Sequence, residues 1–87
     1  MAEYTRDYTK DFLKDLKKIK SNAGLQKRLK AKIEEILNNP FHYKSLRHAL
    51  KNMRRTHIGN FVLIFEINQN QKTVIFNKFQ DHDRAYS

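Results

Sequence analysis

Three histidines in the second half of the chain, His48, His57 and His82, are the side chains best suited to chemistry. The ordinary pKa of histidine, about 6.5, lets an imidazole accept and donate a proton near neutral pH. The chain also carries 18 lysines and arginines against 9 acidic residues, which gives a net charge of +9. A cationic surface of this kind attracts phosphate backbones. Together these features indicate cleavage of RNA without a metal.

Metal-free cleavage of RNA uses the 2′-hydroxyl as the nucleophile on the adjacent phosphorus. The reaction needs a base for the hydroxyl proton, an acid for the leaving 5′-oxygen, and a cation for the charge that develops on the phosphoryl group. Positioned proton transfer contributes about 10²–10⁴-fold, and charge stabilisation and positioning supply most of the rest. Two histidines and one arginine meet these needs, and the chain has more of both types.

Composition limits the other classes of function. Eighty-seven residues predict one small domain, spanning residues 1–87. No apolar run approaches the roughly 18 residues of a membrane-spanning helix, and the N-terminus lacks a signal-peptide pattern. The absence of cysteine excludes disulfides and fits a reducing cytoplasm. The histidines are irregularly spaced and lack clustered carboxylates, so no metal or other cofactor is expected.

The first half of the chain predicts a short strand followed by a helical hairpin. Residues 3–8 alternate weakly, and Thr9 is a suitable N-cap for the first helix. A break at residues 21–24 separates it from a second helix over residues 25–37, which Pro40 stops. The expected apolar stripes are Phe12, Leu13, Leu16 and Ile19 on the first helix, and Leu25, Leu29, Ile33, Ile36 and Leu37 on the second.

After Pro40 the periodicity changes to that of strands. Residues 41–52 predict a connector with a short edge strand near Leu46, and residues 53–57 predict a strand that ends at the Gly59-Asn60 turn. The apolar run 61–67 is typical of a central strand buried on both faces, and residues 73–79 predict the last strand. The order β-α-α-β-β-β predicts an α+β fold with the hairpin packed on an antiparallel or mixed sheet.

Three motifs in this order resemble the RelE/YafQ branch of the RelE/ParE superfamily of type II toxins. They are residues 46–52 (LRHALKN), 55–58 (RTHI) and 61–65 (FVLIF), and the tail at residues 81–86 (DHDRAY) resembles the end of the same proteins. The resemblance covers essentially the whole chain. It implies a RelE-like fold and a ribosome-dependent endoribonuclease that cuts mRNA in the ribosomal A site. It also implies catalytic roles for His48, His57 and His82, and a substrate contact for Tyr86.

The chain departs from the family pattern just before the central strand. Asn60 and Phe61 stand where the family has an Asp-Trp pair, and the amide of Asn60 cannot exchange a proton as a carboxylate does. Both remain candidates for substrate binding, although Phe61 also fits a place in the core. Val62 stands where the RelE-like branch has a phosphate-stabilising arginine. The cations that can replace it are Arg55, Lys78 and Arg84.

Convergence of the histidines depends on strand order. His57 ends one predicted strand and His82 follows the last one, so the two meet if these strands run side by side and parallel. His42 matches no family position and is expected to be exposed near the Pro40 turn.

Membership of a toxin–antitoxin pair implies an acidic, partly disordered antitoxin of the RelB/DinJ kind, together with the ribosome and mRNA as targets. Two other functions stay open. One is a ParE-like toxin that inhibits a protein such as DNA gyrase, and the other is a basic RNA-binding module without chemistry.

Overall fold

The strands of this chain form one mixed sheet with two long helices against it. The computed structural model describes residues 3–46 and 53–85. The elements are β1 (Thr5–Tyr8), α1 (Lys10–Lys18), α2 (Ala23–Asn38), a 3-10 turn (Pro40–His42), β2 (Lys44–Ser45), β3 (Met53–Ile58), β4 (Phe61–Asn68), β5 (Thr73–Asp81) and α3 (His82–Ala85). The strand order is β1-β5-β4-β3-β2. β1 is parallel to β5 and the other pairs are antiparallel, which confirms the predicted α+β class.

Helix α1 begins where the sequence predicts, and one residue of its predicted apolar stripe lies off the buried face. The Thr9 hydroxyl accepts a hydrogen bond from the Phe12 amide (3.1 Å), as an N-cap does. Phe12 is fully buried, whereas Leu13 is 46% exposed, so the prediction of Leu13 in the apolar stripe is wrong. Leu13 lies about 100° around the helix from Phe12, while Asp15 takes a buried position on the sheet side.

Helix α2 starts two residues earlier than predicted. The side chain of Asn22 accepts a hydrogen bond from the Leu25 amide (3.0 Å), so Ala23 and Gly24 form the first turn and not a break. The helix ends at Asn38, before Pro40. All five residues of its predicted apolar stripe are buried.

Strand β4 lies at the centre of the sheet but is fully covered on one face only. Leu63, Phe65 and Ile67 are buried in one cluster with residues of both long helices. On the other face Val62 is buried, whereas Ile64 and Glu66 are only half-buried. The prediction of burial on both faces is therefore wrong, because α1 and α2 pack on the same side of the sheet.

The edge strand β2 is close to its predicted place. It ends one residue before Leu46, whose amide donates to the carbonyl of Met53 (3.0 Å). Lys44 and Ser45 pair with Arg55 and Arg54 of β3. This short strand brings the connector after α2 alongside the strand that carries His57.

Candidate functional site

Two of the three predicted histidines meet at one end of the sheet. His57 is the penultimate residue of β3, and His82 directly follows β5. Their imidazole rings are nearly parallel, with centroids 5.9 Å apart and planes inclined by 23°. Both side chains are exposed. The pair can therefore reach the same bound substrate.

The strand order that joins these histidines differs from the one expected. β3 and β5 point in the same direction, but β4 lies between them, so the prediction of adjacent strands is wrong. His57 pairs with Val62 of β4, which pairs with Gln80 of β5. Two strand spacings amount to roughly 9–10 Å. The two ring centroids are closer than this, at 5.9 Å, because the side chains extend toward each other across the start of β4.

A backbone contact holds His82 at this end of the sheet. The amide of His82 donates a hydrogen bond to the carbonyl of Asn60 (2.7 Å), in the turn between β3 and β4. The side chain of Asn60 lies beside Asp81, His82 and Asp83 around an open cleft of about 490 Å³. Asn60 therefore fixes the position of His82 through its main chain, a role that its side-chain chemistry does not reveal.

Arg55 lies directly beside His57. Its Nη1 atom is 3.1 Å from Nε2 of the imidazole. A guanidinium has no acceptor, so in this contact Nε2 offers its lone pair and the ring proton sits on Nδ1. The arrangement places an imidazole nitrogen and a permanent cation side by side.

His82 has a carboxylate neighbour. Its Nδ1 atom is 3.9 Å from Oδ1 of Asp83, and both groups are exposed. A solvated pair of this kind contributes little to stability. The contact places a carboxylate beside the imidazole of His82 at this end of the sheet.

The remaining candidates divide between the site and the core. Phe61 is half-buried and stacks on Phe79, with ring centroids 4.9 Å apart, so it packs against the core. Lys78 is exposed and shares a cross-strand row with Ile64 and Arg55. The backbone of Arg84 lies in α3. Two further candidates, His48 and Tyr86, lie outside the described residues.

His42 was not expected to belong to a site, but it lies on a cleft that reaches His57. The cleft has a volume of about 480 Å³. The side chains around it include Lys32, His42, Tyr43, Lys44, Arg55 and His57. The motif at residues 55–58 contains Arg55 and His57 but not His42, because α2, the 3-10 turn and β2 contribute the other side of the cleft.

The phenol of Tyr43, which lines this cleft, has a raised pKa. Burial raises the pKa of its phenol, and the charge and hydrogen bond of Glu35 raise it further. The ring of Tyr43 packs edge-to-face on Phe65, with centroids 5.8 Å apart. Tyr43 is thus a structural wall of the cleft and stays protonated near neutral pH.

Neither a cluster of metal ligands nor a helix able to cross a membrane is present in residues 3–46 and 53–85. There, no three histidine or carboxylate side chains are grouped so as to hold a metal ion. None of the helices in the same ranges has the length and apolar character needed to cross a membrane.

Comparison with known proteins gives consistent matches. A family model described as the ParE toxin of the type II toxin–antitoxin system parDE matches residues 7–86. A candidate toxin of Methanocaldococcus jannaschii, RelE4, is 52% identical over 65 residues, which are 70% of this chain and 69% of that protein.

Toxin–antitoxin complexes are among the solved structures of similar shape. The RelB–RelE antitoxin–toxin complex from Methanococcus jannaschii contains a chain with a TM-score of 0.72 and 29% identity, over 92% of this chain and 94% of that one. The E. coli DinJ–YafQ complex gives a TM-score of 0.81 at 20% identity, over 98% of this chain and 100% of that one. At that identity the second likeness concerns the fold alone.

Proposed function

The chain belongs to the ParE toxin family of type II toxin–antitoxin systems, within the RelE/ParE superfamily, and from this membership we propose that it is an endoribonuclease. It cuts mRNA on the ribosome and so inhibits translation. The observation that carries the proposal is the His57–His82 pair with Arg55 beside it. These side chains supply the base, the acid and the cation that metal-free RNA cleavage needs.

In the proposed reaction His57 is the base. When the substrate binds, Arg55 turns from Nε2 of His57 to the phosphoryl oxygens, and the Nε2 lone pair that this frees removes the proton of the 2′-hydroxyl. The 2′-oxygen then attacks the adjacent phosphorus. Arg55 stabilises the charge on the phosphoryl oxygens. The protonated form of His82 gives its proton to the 5′-oxygen as the P–O5′ bond breaks. The products are a 2′,3′-cyclic phosphate and a 5′-hydroxyl, and the proton taken by His57 balances the one that His82 gives.

The other residues of the proposed site are assigned from the sequence. The family resemblance supports His48 as a third catalytic residue and Tyr86 as a surface for a base. Lys78 and Arg84 are proposed as phosphate contacts. Asn60 acts through its backbone contact with His82, and Phe61 supports the site from the core side.

The deciding experiment maps mRNA 5′ ends after incubation with translating ribosomes. The wild type should produce cuts in phase with codons, and a His57→Ala/His82→Ala variant should leave the mRNA intact. Intact mRNA with the wild-type protein would refute the proposed activity.

A second candidate function follows from the description of the matched family model as a ParE toxin. In this alternative the chain inhibits a protein target such as DNA gyrase and cuts nothing. A supercoiling assay separates the two functions, because inhibition of gyrase that survives the double histidine substitution would favour the alternative.

The proposed partners are mRNA, the ribosome and an acidic antitoxin. Both solved complexes pair the similar chain with an antitoxin, RelB or DinJ. We propose a partner of the same kind here, bound in a hetero-oligomer in the cytoplasm. The charge of +9 favours its association with such an acidic chain.

A further inference from the structure

The cleft beside His57 has the chemistry of an anion site. Lys32, Lys44 and Arg55 bring three permanent positive charges to it, and His42 and His57 add two imidazoles. No carboxylate is among the described residues that line it. Glu35 approaches from the side, where one of its oxygens is 3.7 Å from Nζ of Lys32. We call this space the His42 cleft.

Two of these cations face each other across adjacent strands. Lys44 of β2 is the direct cross-strand partner of Arg55 of β3. Like charges in directly opposed positions destabilise a sheet. An anion bound between the two side chains would offset that repulsion. The pairing of Lys44 with Arg55 therefore favours binding of an anion.

The turn that carries His42 is fastened to the sheet. Nη1 of Arg54 donates a hydrogen bond to the carbonyl of Tyr43 (2.6 Å). The guanidinium also lies over the ring of Phe41, 5.2 Å from its centroid. His42 in turn contacts the ring of Tyr43 edge-to-face, with centroids 5.2 Å apart. The imidazole is therefore held beside Lys44 before any ligand arrives, which lowers the entropic cost of binding.

The position of the cleft indicates its ligand. Arg55 and His57 line the cleft and also belong to the proposed catalytic group. A strand of RNA whose scissile phosphate lies at His57 and His82 carries its next phosphates within reach of this space. A carboxylate of an acidic protein segment could accept the same hydrogen bonds, but such a segment would not share Arg55 and His57 with a scissile phosphate.

We propose that the His42 cleft is a second phosphate-binding subsite, which holds a phosphate of the RNA strand next to the one that is cut. Lys44 and Arg55 supply the charge, and His42 donates a hydrogen bond. This inference rests on the proposed function, because the ligand is the same RNA strand.

The test measures binding without cleavage. A fluorescent oligoribonucleotide with 2′-O-methyl groups cannot be cut, because its 2′-oxygens carry no proton. Its Kd is measured by anisotropy over a series of salt concentrations for the wild type, Lys44→Ala and His42→Ala. Lys14→Ala is the matched control. It removes one exposed charge from α1, which packs on β5, and β4 and β3 separate β5 from the strand that carries Lys44.

Lys44→Ala should weaken binding about tenfold. It should also reduce the slope of log Kd against log salt by roughly 0.7, the value for one contact to a single strand. His42→Ala should weaken binding as well, whereas Lys44→Arg should retain affinity. Circular dichroism checks that each variant folds. If Lys44→Ala and His42→Ala change the Kd and the slope no more than Lys14→Ala does, the subsite is refuted. It is refuted even if the same two variants weaken binding of an acidic peptide.

The subsite and the proposed function fail separately. A wild type that binds the oligonucleotide through Lys44 but leaves ribosomal mRNA intact refutes the nuclease and supports the subsite. A wild type that cuts mRNA, with Lys44→Ala indistinguishable from Lys14→Ala in binding, refutes the subsite alone.

Discussion

Arg55 distinguishes two histidines that are otherwise alike. It touches Nε2 of His57, whereas His82 has Asp83 as its neighbour. The printed contacts of the two imidazoles therefore differ in chemical kind, and this difference is the basis for giving them different roles in the proposed reaction.

If His57 and His82 act in one step, their substitutions are not additive. We expect His57→Ala and His82→Ala each to slow cleavage about 10²–10⁴-fold. The double variant should lose much less than the product of the two factors, because residues that work as a unit fail together. Rates of mRNA cleavage on ribosomes measure this, and circular dichroism controls for folding. Strictly multiplicative losses would mean that the histidines act independently.

At the scale of elements, one buried carboxylate joins α1 to the strand that leads to His82. Oδ2 of Asp15 accepts a hydrogen bond from the backbone amide of Phe79 (2.8 Å), and only 4% of the residue is exposed. Lys18 lies 4.0 Å from the other oxygen. This hydrogen bond connects the C-terminal end of β5 to helix α1.

Asp15→Ala should therefore destabilise the fold. It leaves the amide of Phe79 without its partner in the interior, at a cost of about 1–3 kcal/mol. For a domain of this size each kcal/mol lowers Tm by about 4–8 °C. Asp15→Asn keeps an acceptor oxygen and should lose less. Equal losses in the two variants, measured by thermal unfolding, would show that the hydrogen bond is not the important contact.

The wall of the His42 cleft gives a pH dependence with a definite sign. The pKa of Tyr43 is raised in the folded state, so the protonated phenol stabilises the fold fully below the unfolded value of about 10. That contribution is lost as pH rises through the folded value. From about pH 9 to 11 the free energy of unfolding should fall more steeply for the wild type than for Tyr43→Phe. If the free energies of unfolding of the wild type and Tyr43→Phe fall in parallel with pH, the raised pKa of Tyr43 is contradicted.

At the scale of the whole molecule, the net charge of +9 should govern encounter with ribosomes, the proposed target. Binding to rRNA and mRNA releases counterions, so the affinity should fall steeply between low and physiological salt. Equilibrium binding to purified ribosomes over a salt series measures the slope. An affinity that does not change with salt would show that the positive charge does not drive binding.

The sequence by itself determined the parts of the molecule that depend on near neighbours. Thr9 marks the start of α1, Pro40 follows the end of α2, and the stripe from Leu25 to Leu37 is buried as predicted. Caps, proline stops and helical periodicity act within a few residues, so they are visible in sequence. The motif that contains His57 and the tail that contains His82 are local in the same sense.

Only the tertiary structure decided how these parts meet. It placed β4 between β3 and β5, buried Asp15 while exposing Leu13, and brought His42 to a cleft shared with His57. Each outcome depends on contacts between residues far apart in the chain. Which face of a helix is buried, and which strands are neighbours, is set by how the elements jointly cover the core, and no local pattern encodes that choice.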